Sequence, residues 1–339
     1  MTRTVLRAGL LAGATLALRS FVRRRRRIDL SGKIVVVTGG SRGLGLVLCR
    51  ELLRRGARIA LCARDEDELQ RARLELAAHG PVYTSLCDLT SRGDVYRFLT
   101  EVRDELGPID VLINNAGVMV VGPAELMTLD DYDEALNTHL WGPLHAMTFV
   151  IPQMRQRGGG RIVNIASVGG KIAVPHMAPY SASKFALVGL SAAMRAELAK
   201  DSVYVTTACP GLMRTGSPRN AAFRGNHRAE YAWFDIADSL PILSMSAERA
   251  ARQIIDACEH GDPEIVTTLP ARLAVLVSAL APSAVQEIAG VVGRLLPGPR
   301  SGSRERRSGA ESQSALAPSI LTALGDAAAQ RNNEIKPTR

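Results

Sequence analysis

The chain has 339 residues, 46% of them hydrophobic, with 42 Lys and Arg against 33 Asp and Glu. Eight of its nine net positive charges (Arg3, Arg7, Arg19 and Arg23 to Arg27) fall in the first 27 residues, which contain no acid; the body is near neutral, which argues against a nucleic-acid surface on the folded part. Five cysteines, Cys49, Cys62, Cys87, Cys209 and Cys258, form no Cys-x-x-Cys, so a disulfide framework and a zinc ribbon are set aside in favour of buried, reduced thiols.

The first element is an apolar run from Ala8 to Leu18, followed by Arg19 and then the five-Arg block. At about 1.5 Å per residue it falls short of a hydrocarbon core of roughly 30 Å. The strongest charge follows the run, so a cleaved signal peptide fits poorly. The expectation is an N-terminal anchor over residues 1–27, either spanning with snorkelling arginines or lying in the interface. The basic block then marks the cytoplasmic side and makes the protein membrane-associated. A disordered basic leader or a nucleic-acid tail is the other reading.

From Lys33 a β-branched apolar run reads as a buried parallel strand. It enters the turn Thr38-Gly-Gly-Ser-Arg-Gly-Leu-Gly and then a helix over 46–55. Gly39, Gly43 and Gly45 let the backbone turn sharply and approach a phosphate at a helix N-terminus. The spacing is Gly-x-x-x-Gly-x-Gly, a variant of the dinucleotide fingerprint. The second strand, Arg58 to Ala63, is followed by Arg64. An acid there would hold ribose hydroxyls, whereas an Arg suits an adenosine 2′-phosphate. Arg42 supplies a second cation to the same phosphate. Either Arg alone reads as a solvated surface charge; together they point to NADP. Asp65 to Glu68 read as charges at a helix N-terminus.

Further strands are expected at Val111 to Ile113, Arg161 to Ala166 and Val203 to Cys209. Their alternation with helical patterns from about Lys33 to Thr268 predicts one α/β domain over 28–268, a doubly wound parallel sheet of Rossmann type. Near its middle, Tyr180 and Lys184 stand at i and i+4, one helical turn apart, after Ser167. On a shared helix face the ammonium lies near the phenol and favours its ionised form. His139, His145 and His176 lack zinc spacing and read as ordinary histidines, with His176 a candidate for the substrate pocket. No metal site is expected.

In this order the motifs resemble the short-chain dehydrogenase/reductase family from Lys33 to Thr215. The set is the glycine turn, Cys87-Asp-Leu, Asn114-Asn-Ala-Gly, Asn137, Ser167, Tyr180-x-x-x-Lys184 and Pro210-Gly-Leu-Met-Arg-Thr215. The resemblance implies that Gly39, Ser41, Arg42, Gly43, Leu44 and Gly45 hold the cofactor, with Arg64 at the ribose. It puts Asp88 and Leu89 at the adenine and Asn115, Ala116 and Gly117 along the cofactor, while Asn114 either joins them or ties neighbouring strands together. Pro210, Gly211 and Thr215 flank the nicotinamide. It further implies a catalytic tetrad: Ser167 on the substrate oxygen, Tyr180 as proton donor or acceptor, Lys184 lowering the Tyr180 pKa and holding the ribose, and Asn137 supporting a water. The family commonly forms dimers or tetramers, so a homo-oligomer is expected.

The segment 216–245, with Phe223, Tyr231, Trp233 and Phe234, should lie over the nicotinamide; its aromatics either line the substrate pocket or form the lid's own small core. Residues 269–296 read as two amphipathic helices divided by Pro282, placed to cap the pocket, pair with another subunit or rest on a membrane. From Pro297 to the end, Gly, Pro, Ser and Arg dominate, and a largely disordered tail is expected. The expected activity is NADP-dependent interconversion of a carbonyl and a secondary alcohol on an apolar substrate. A non-catalytic NADP-sensing or scaffold protein on the same fold is the alternative, and Ser167, Tyr180 and Lys184 all being present counts against it.

Overall fold

A computed structural model describes residues 17–299 and 304–335, together with Gly13. The apolar run expected to anchor the N-terminus therefore lies almost wholly outside the described residues.

Seven strands form a parallel sheet: β1 (Ile34–Thr38), β2 (Arg58–Ala63), β3 (Val82–Leu86), β4 (Val111–Asn114), β5 (Gly160–Ile165), β6 (Val203–Cys209) and β7 (Glu264–Val266), in the order β7-β6-β5-β4-β1-β2-β3. Helices α1 (Gly43–Arg54), α2 (Glu66–Ala77), α3 (Arg92–Leu106), α4 (Leu129–Leu136), α5 (Gly142–Gln156), α6 (Ala178–Leu198), α7 (His227–Ser239) and α8 (Ala247–His260) connect and cover it. β1 is buried throughout as Ile-Val-Val-Val-Thr. It sits mid-sheet, Val36 opposite Ala60 of β2 and Leu112 of β4, which is where a β-branched run shielded on both faces belongs.

Each face of the sheet has its own core. Leu46, Leu52, Ile254 and Ile255 pack on one side, and Phe98, Leu99, Met147 and Val150 on the other. Full burial of each such side chain stabilises the fold by about 1.5–3 kcal/mol. Side-chain caps fix where helices begin: Asp65 accepts from Glu68 N, Ser91 from Asp94 N and Ser246 from Arg249 N. The chain leaves β1 toward β2 and β3, then returns to place β4 on the other flank of β1. That reversal opens a crevice above the carboxyl ends of β1 and β4, the place where such sheets bind ligands.

The basic block is partly spent on the fold. Arg23 pairs with Asp256 and Asp262, and the Arg26 guanidinium lies 4.7 Å from the Tyr204 ring centre. Among the described residues no helix is long and apolar enough to cross a membrane. Beyond β7 come α9 (Leu269–Leu280) and α10 (Pro282–Leu295), with Leu273, Leu276, Leu280, Ile288, Val291 and Leu295 exposed.

The tail departs from the composition-based expectation of disorder. Arg307–Ser308 pairs with Ala222–Phe223, which pairs in turn with Val120–Val121, and α11 (Ala323–Arg331) packs on α7. The buried residues here are small or polar, including Ala317, Ala328, Ala329, Ser312, Thr322 and Asn332, while Leu316, Ile320 and Leu321 are exposed. A segment held by fitted alanines and hydrogen bonds leaves no signature in a count of large apolar residues.

Candidate active site

The crevice is a cavity of about 840 Å³ that reaches from the glycine turn to the start of α6. The turn is shaped by close backbone approach. A Cβ on Gly39 would come within 2.8 Å of Ala116 Cα, and one on Gly45 within 2.1 Å of Gly39 O. Gly39 and Gly43 have φ of +62° and +55°, which glycine adopts without strain. Asn115 locks the turn to the end of β4, its Nδ2 donating to Thr38 O at 3.1 Å and Gly39 O at 3.0 Å. Asn114 donates to Asn164 Oδ1 at 2.7 Å and so ties β4 to β5.

All the expected cofactor residues line the cavity: Gly39 and Ser41 to Gly45 of the turn, Arg64, Asp88 with Leu89, Asn115 to Gly117, Tyr180 with Lys184, and Pro210, Gly211 and Thr215. The two arginines differ. Arg64 is exposed and has no hydrogen-bond or ion-pair partner among the described residues. Arg42 donates to Glu68 Oε1 and Asn220 Oδ1, both at 2.9 Å. Asp65 and Glu68 belong to the α2 N-terminus, as their position after β2 suggests, although both also line the cavity.

At the other end Ser167 follows β5, with its Oγ accepting from Gly169 N at 3.0 Å. Tyr180 and Lys184 enter from the first turns of α6, and all three border the cavity. Lys184 Nζ donates to Ile165 O at 2.8 Å and lies 5.6 Å from the Tyr180 ring centre. The expected depression of the Tyr180 pKa by Lys184 is not what the structure shows. Burial pushes the phenol up, opposed by the Ser167 hydroxyl, and burial brings Lys184 itself down to about 7. A desolvated ammonium disfavours its own charge before it can stabilise a neighbour's.

Asn137 does not line the cavity. It opens a π turn, Asn137–Trp141, with its carbonyl accepting from Gly142 N, and the next two residues, Thr138 and His139, face the cavity instead. The His139 ring is buried and edge-on to Tyr180, centroids 5.5 Å apart. Its Nε2 accepts from Val118 N at 3.1 Å, so Nδ1 carries the proton and donates to Ser183 Oγ at 2.7 Å. Burial, with Lys184 nearby, holds its pKa well below the usual imidazole value. Sequence reasoning missed this residue, because its partners Val118 and Ser183 are distant in the chain.

His176 is not among the lining residues; its Nδ1 is 2.8 Å from Glu230 Oε1, whose other oxygen accepts from Trp233 Nε1 at 2.7 Å. The lid aromatics divide between the two roles open to them. Phe223 and Tyr231 form the lid's core with Phe234, while Trp233 and Phe234 line the cavity. Asp238 also reaches it, accepting from Met213 N at 3.0 Å, with its pKa pushed up to about 8 by burial. Glu334, from the end of the chain, borders the cavity beside Arg42. No motif or periodicity marks it.

Comparison with known proteins places the chain in a family. The short chain dehydrogenase family model matches residues 33–223. A dehydrogenase/reductase SDR family protein 7-like of Anopheles gambiae is 34% identical over 80% of this chain and 86% of its own length. A putative ketoacyl reductase of Streptomyces coelicolor is 37% identical over 58% of this chain and 75% of its own. Among solved structures, L-sorbose reductase from Gluconobacter frateurii, complexed with NADPH and L-sorbose, superposes with a TM-score of 0.63 at 24% identity. It covers 71% of this chain and 98% of that one, a likeness of fold. The chain belongs to the short-chain dehydrogenase/reductase family. It is an oxidoreductase of the kind that exchanges a carbonyl for an alcohol with a nicotinamide cofactor.

Proposed function

We propose that this enzyme uses NADP(H) and acts on the carbonyl or secondary alcohol of an apolar substrate, with Ser167, Tyr180 and Lys184 as its catalytic residues. The observation that carries the reading is convergence: these three side chains border one cavity whose opposite end is a glycine turn flanked by Arg42 and Arg64. The fit to a dinucleotide rests on the turn itself: a Cβ at Gly39 would strike Ala116 and one at Gly45 would strike Gly39 O, so only glycines let the turn fold this tightly at the helix N-terminus, where its amides can meet a phosphate. Arg42 and Arg64 suit the phosphate that distinguishes NADP from NAD. The NADPH in the L-sorbose reductase is consistent with that choice.

The bound cofactor supplies or accepts the hydride. The Ser167 hydroxyl donates to the substrate oxygen and holds it for reaction. Tyr180, a neutral phenol whose pKa burial raises further, is the acid that protonates a developing alkoxide. The phenolate left behind lies beside Lys184, whose attraction grows as that charge appears. Asn137, outside the cavity wall, would act through water at the π turn. His139 orients the start of α6 through Ser183, which donates to Tyr180 O at 2.9 Å.

An apolar substrate is supported by Met119, Val174, Met177, Trp233 and Phe234 in the lining, and by a relative named as a ketoacyl reductase. The exposed leucines of α9 and α10 support residence at a membrane surface, on its cytoplasmic side by the N-terminal arginines. Residues 28–268 then form the catalytic domain and 269–296 a helical attachment.

The test is NADPH oxidation by the purified protein against a panel of apolar ketones and aldehydes. Tyr180→Phe should lower turnover by about 10³-fold, the scale of a positioned general acid, with cofactor affinity retained. Equal turnover by the variant would overturn the catalytic assignment.

A further inference from the structure

The last described residues run across the adenosine end of the cavity. Asn332 follows α11 and is fully buried, and its carbonyl accepts the Gly43 N–H at 2.9 Å, so it takes an amide at the start of α1. Asn333 donates through Nδ2 to Ser41 O at 2.9 Å and Glu68 O at 3.0 Å, and its Oδ1 accepts from Arg71 Nε at 2.7 Å. Arg50 holds Arg331 O at 2.6 Å and Asn332 Oδ1 at 3.0 Å.

These contacts deliver one side chain. The Glu334 carboxylate, 4% exposed, lies 3.6 Å from Arg42 Nε and accepts from Asn220 Nδ2. A Cβ on Gly43 would come within 2.4 Å of Glu334 Oε1, so the carboxylate occupies the concavity that this glycine leaves at the helix start. The anion is not comfortable there. Burial and Glu68 push its pKa up to about 7, against Arg42 and Asn220, which favour the charge. An uncovered N-terminus beside an Arg is an anion site; here the chain fills it with its own acid.

We propose that Asn332–Glu334 is a displaceable cover in which the Glu334 carboxylate holds, on Arg42 and Gly43, the place of the cofactor 2′-phosphate. The inference rests on the assignment of Arg42 and Arg64 to that phosphate. A dinucleotide carrying the phosphate exchanges one anion for another on Arg42 and frees the segment. One without it has no anion to exchange, so Glu334 sets cofactor selectivity as well as access. The electrostatic opposition is specific: a carboxylate repels a 2′-phosphate and accepts a hydrogen bond from a 2′-hydroxyl.

The experiment compares the full chain with Glu334→Gln and with a chain ending at Arg331, in equilibrium titrations with NADPH and with NADH and in amide hydrogen exchange of both termini of the contact. Glu334→Gln should tighten NADPH by about tenfold, the scale of one charge-assisted contact, and leave NADH within about twofold. In the full chain, NADPH should speed exchange in the peptide containing residues 331–335 while slowing it around residues 39–46. NADH should not speed exchange in the C-terminal peptide. Slower exchange of that peptide with NADPH, or equal effects of the variants on both cofactors, would overturn the cover. The two assignments fail separately. If Arg64→Ala leaves NADPH affinity unchanged, the phosphate assignment is lost; if Arg64→Ala weakens NADPH while the C-terminal peptide ignores it, only the cover is lost.

Discussion

The two ends of the cavity are built in opposite ways. Ser167, Tyr180 and Lys184 come from one stretch of chain, the end of β5 and the first turns of α6, and are fixed by contacts within that stretch, such as Gly169 N to Ser167 Oγ and Lys184 Nζ to Ile165 O. The adenosine end gathers Arg42 from the glycine turn, Glu68 from α2, Asn220 from the lid and Glu334 from the end of the chain. Chemistry that needs a fixed geometry is placed where few backbone degrees of freedom intervene. On the proposed assignments, discrimination between two forms of one cofactor would fall where a remote segment can change it without disturbing the reacting atoms.

The comparison breaks if the adenosine end proves as intolerant as the reacting end, and the glycine turn that supplies Arg42 is the largest lever. Gly45→Ala puts a methyl 2.1 Å from Gly39 O and 2.6 Å from Asn115 Nδ2, and backbone cannot withdraw as a flexible side chain does. Binding of both NADPH and NADH should weaken by at least about 100-fold, with circular dichroism near that of the parent protein. Retained binding would mean that the turn is not the cradle.

A second substitution sharpens the contrast at the reacting end. Lys184→Met should lower kcat by about 100-fold, within the range of a lost electrostatic stabiliser of developing charge, and at neutral pH should raise Tm. Burial holds the folded-state pKa at about 7 against an ordinary 10.5. Between those values the unfolded chain binds a proton that the native chain does not, so this group makes native stability rise with pH. The cost is fully present below pH 7 and gone above 10.5. The excess Tm of the Met variant should therefore be largest at pH 6 to 7 and shrink toward zero by pH 10.5. A pH-independent difference would show that the lysine is not desolvated as its surroundings indicate.

The same division governs what could be read from sequence. β1, the glycine turn, β2, β6 and the Tyr180–Lys184 pair are legible because strand burial, close approach at Gly39 and i,i+4 spacing are all local rules. The family resemblance supplies Ser167 at the end of β5. His139 was not legible: its role depends on a π turn that carries it, in place of Asn137, to the cavity wall. The tail was misjudged because alanines and asparagines fill its contacts, and composition weighs only large apolar side chains. Lys184 shows a further limit, since sequence supplies the proximity of a cation to Tyr180 but not the desolvation that dominates both groups.

Arg64→Ala has the smallest expected effect and tests the adenosine end alone. With no hydrogen-bond or ion-pair partner among the described residues, Arg64 can be removed without leaving one of them as an unpaired buried charge, so stability should change by less than about 0.5 kcal/mol. NADPH binding should weaken by about tenfold and NADH by less than twofold, as read by equilibrium titration. Arg42 is a poorer probe because its loss also frees Glu68, Asn220 and Glu334 from a shared partner. Glu334→Gln should move NADPH affinity the other way. Both side chains are assigned to one phosphate, so the double variant need not equal the product of the single effects. A substantial coupling in that cycle would place both groups at a common site; independent effects would leave Arg64 as a surface cation that acts on the whole cofactor from a distance.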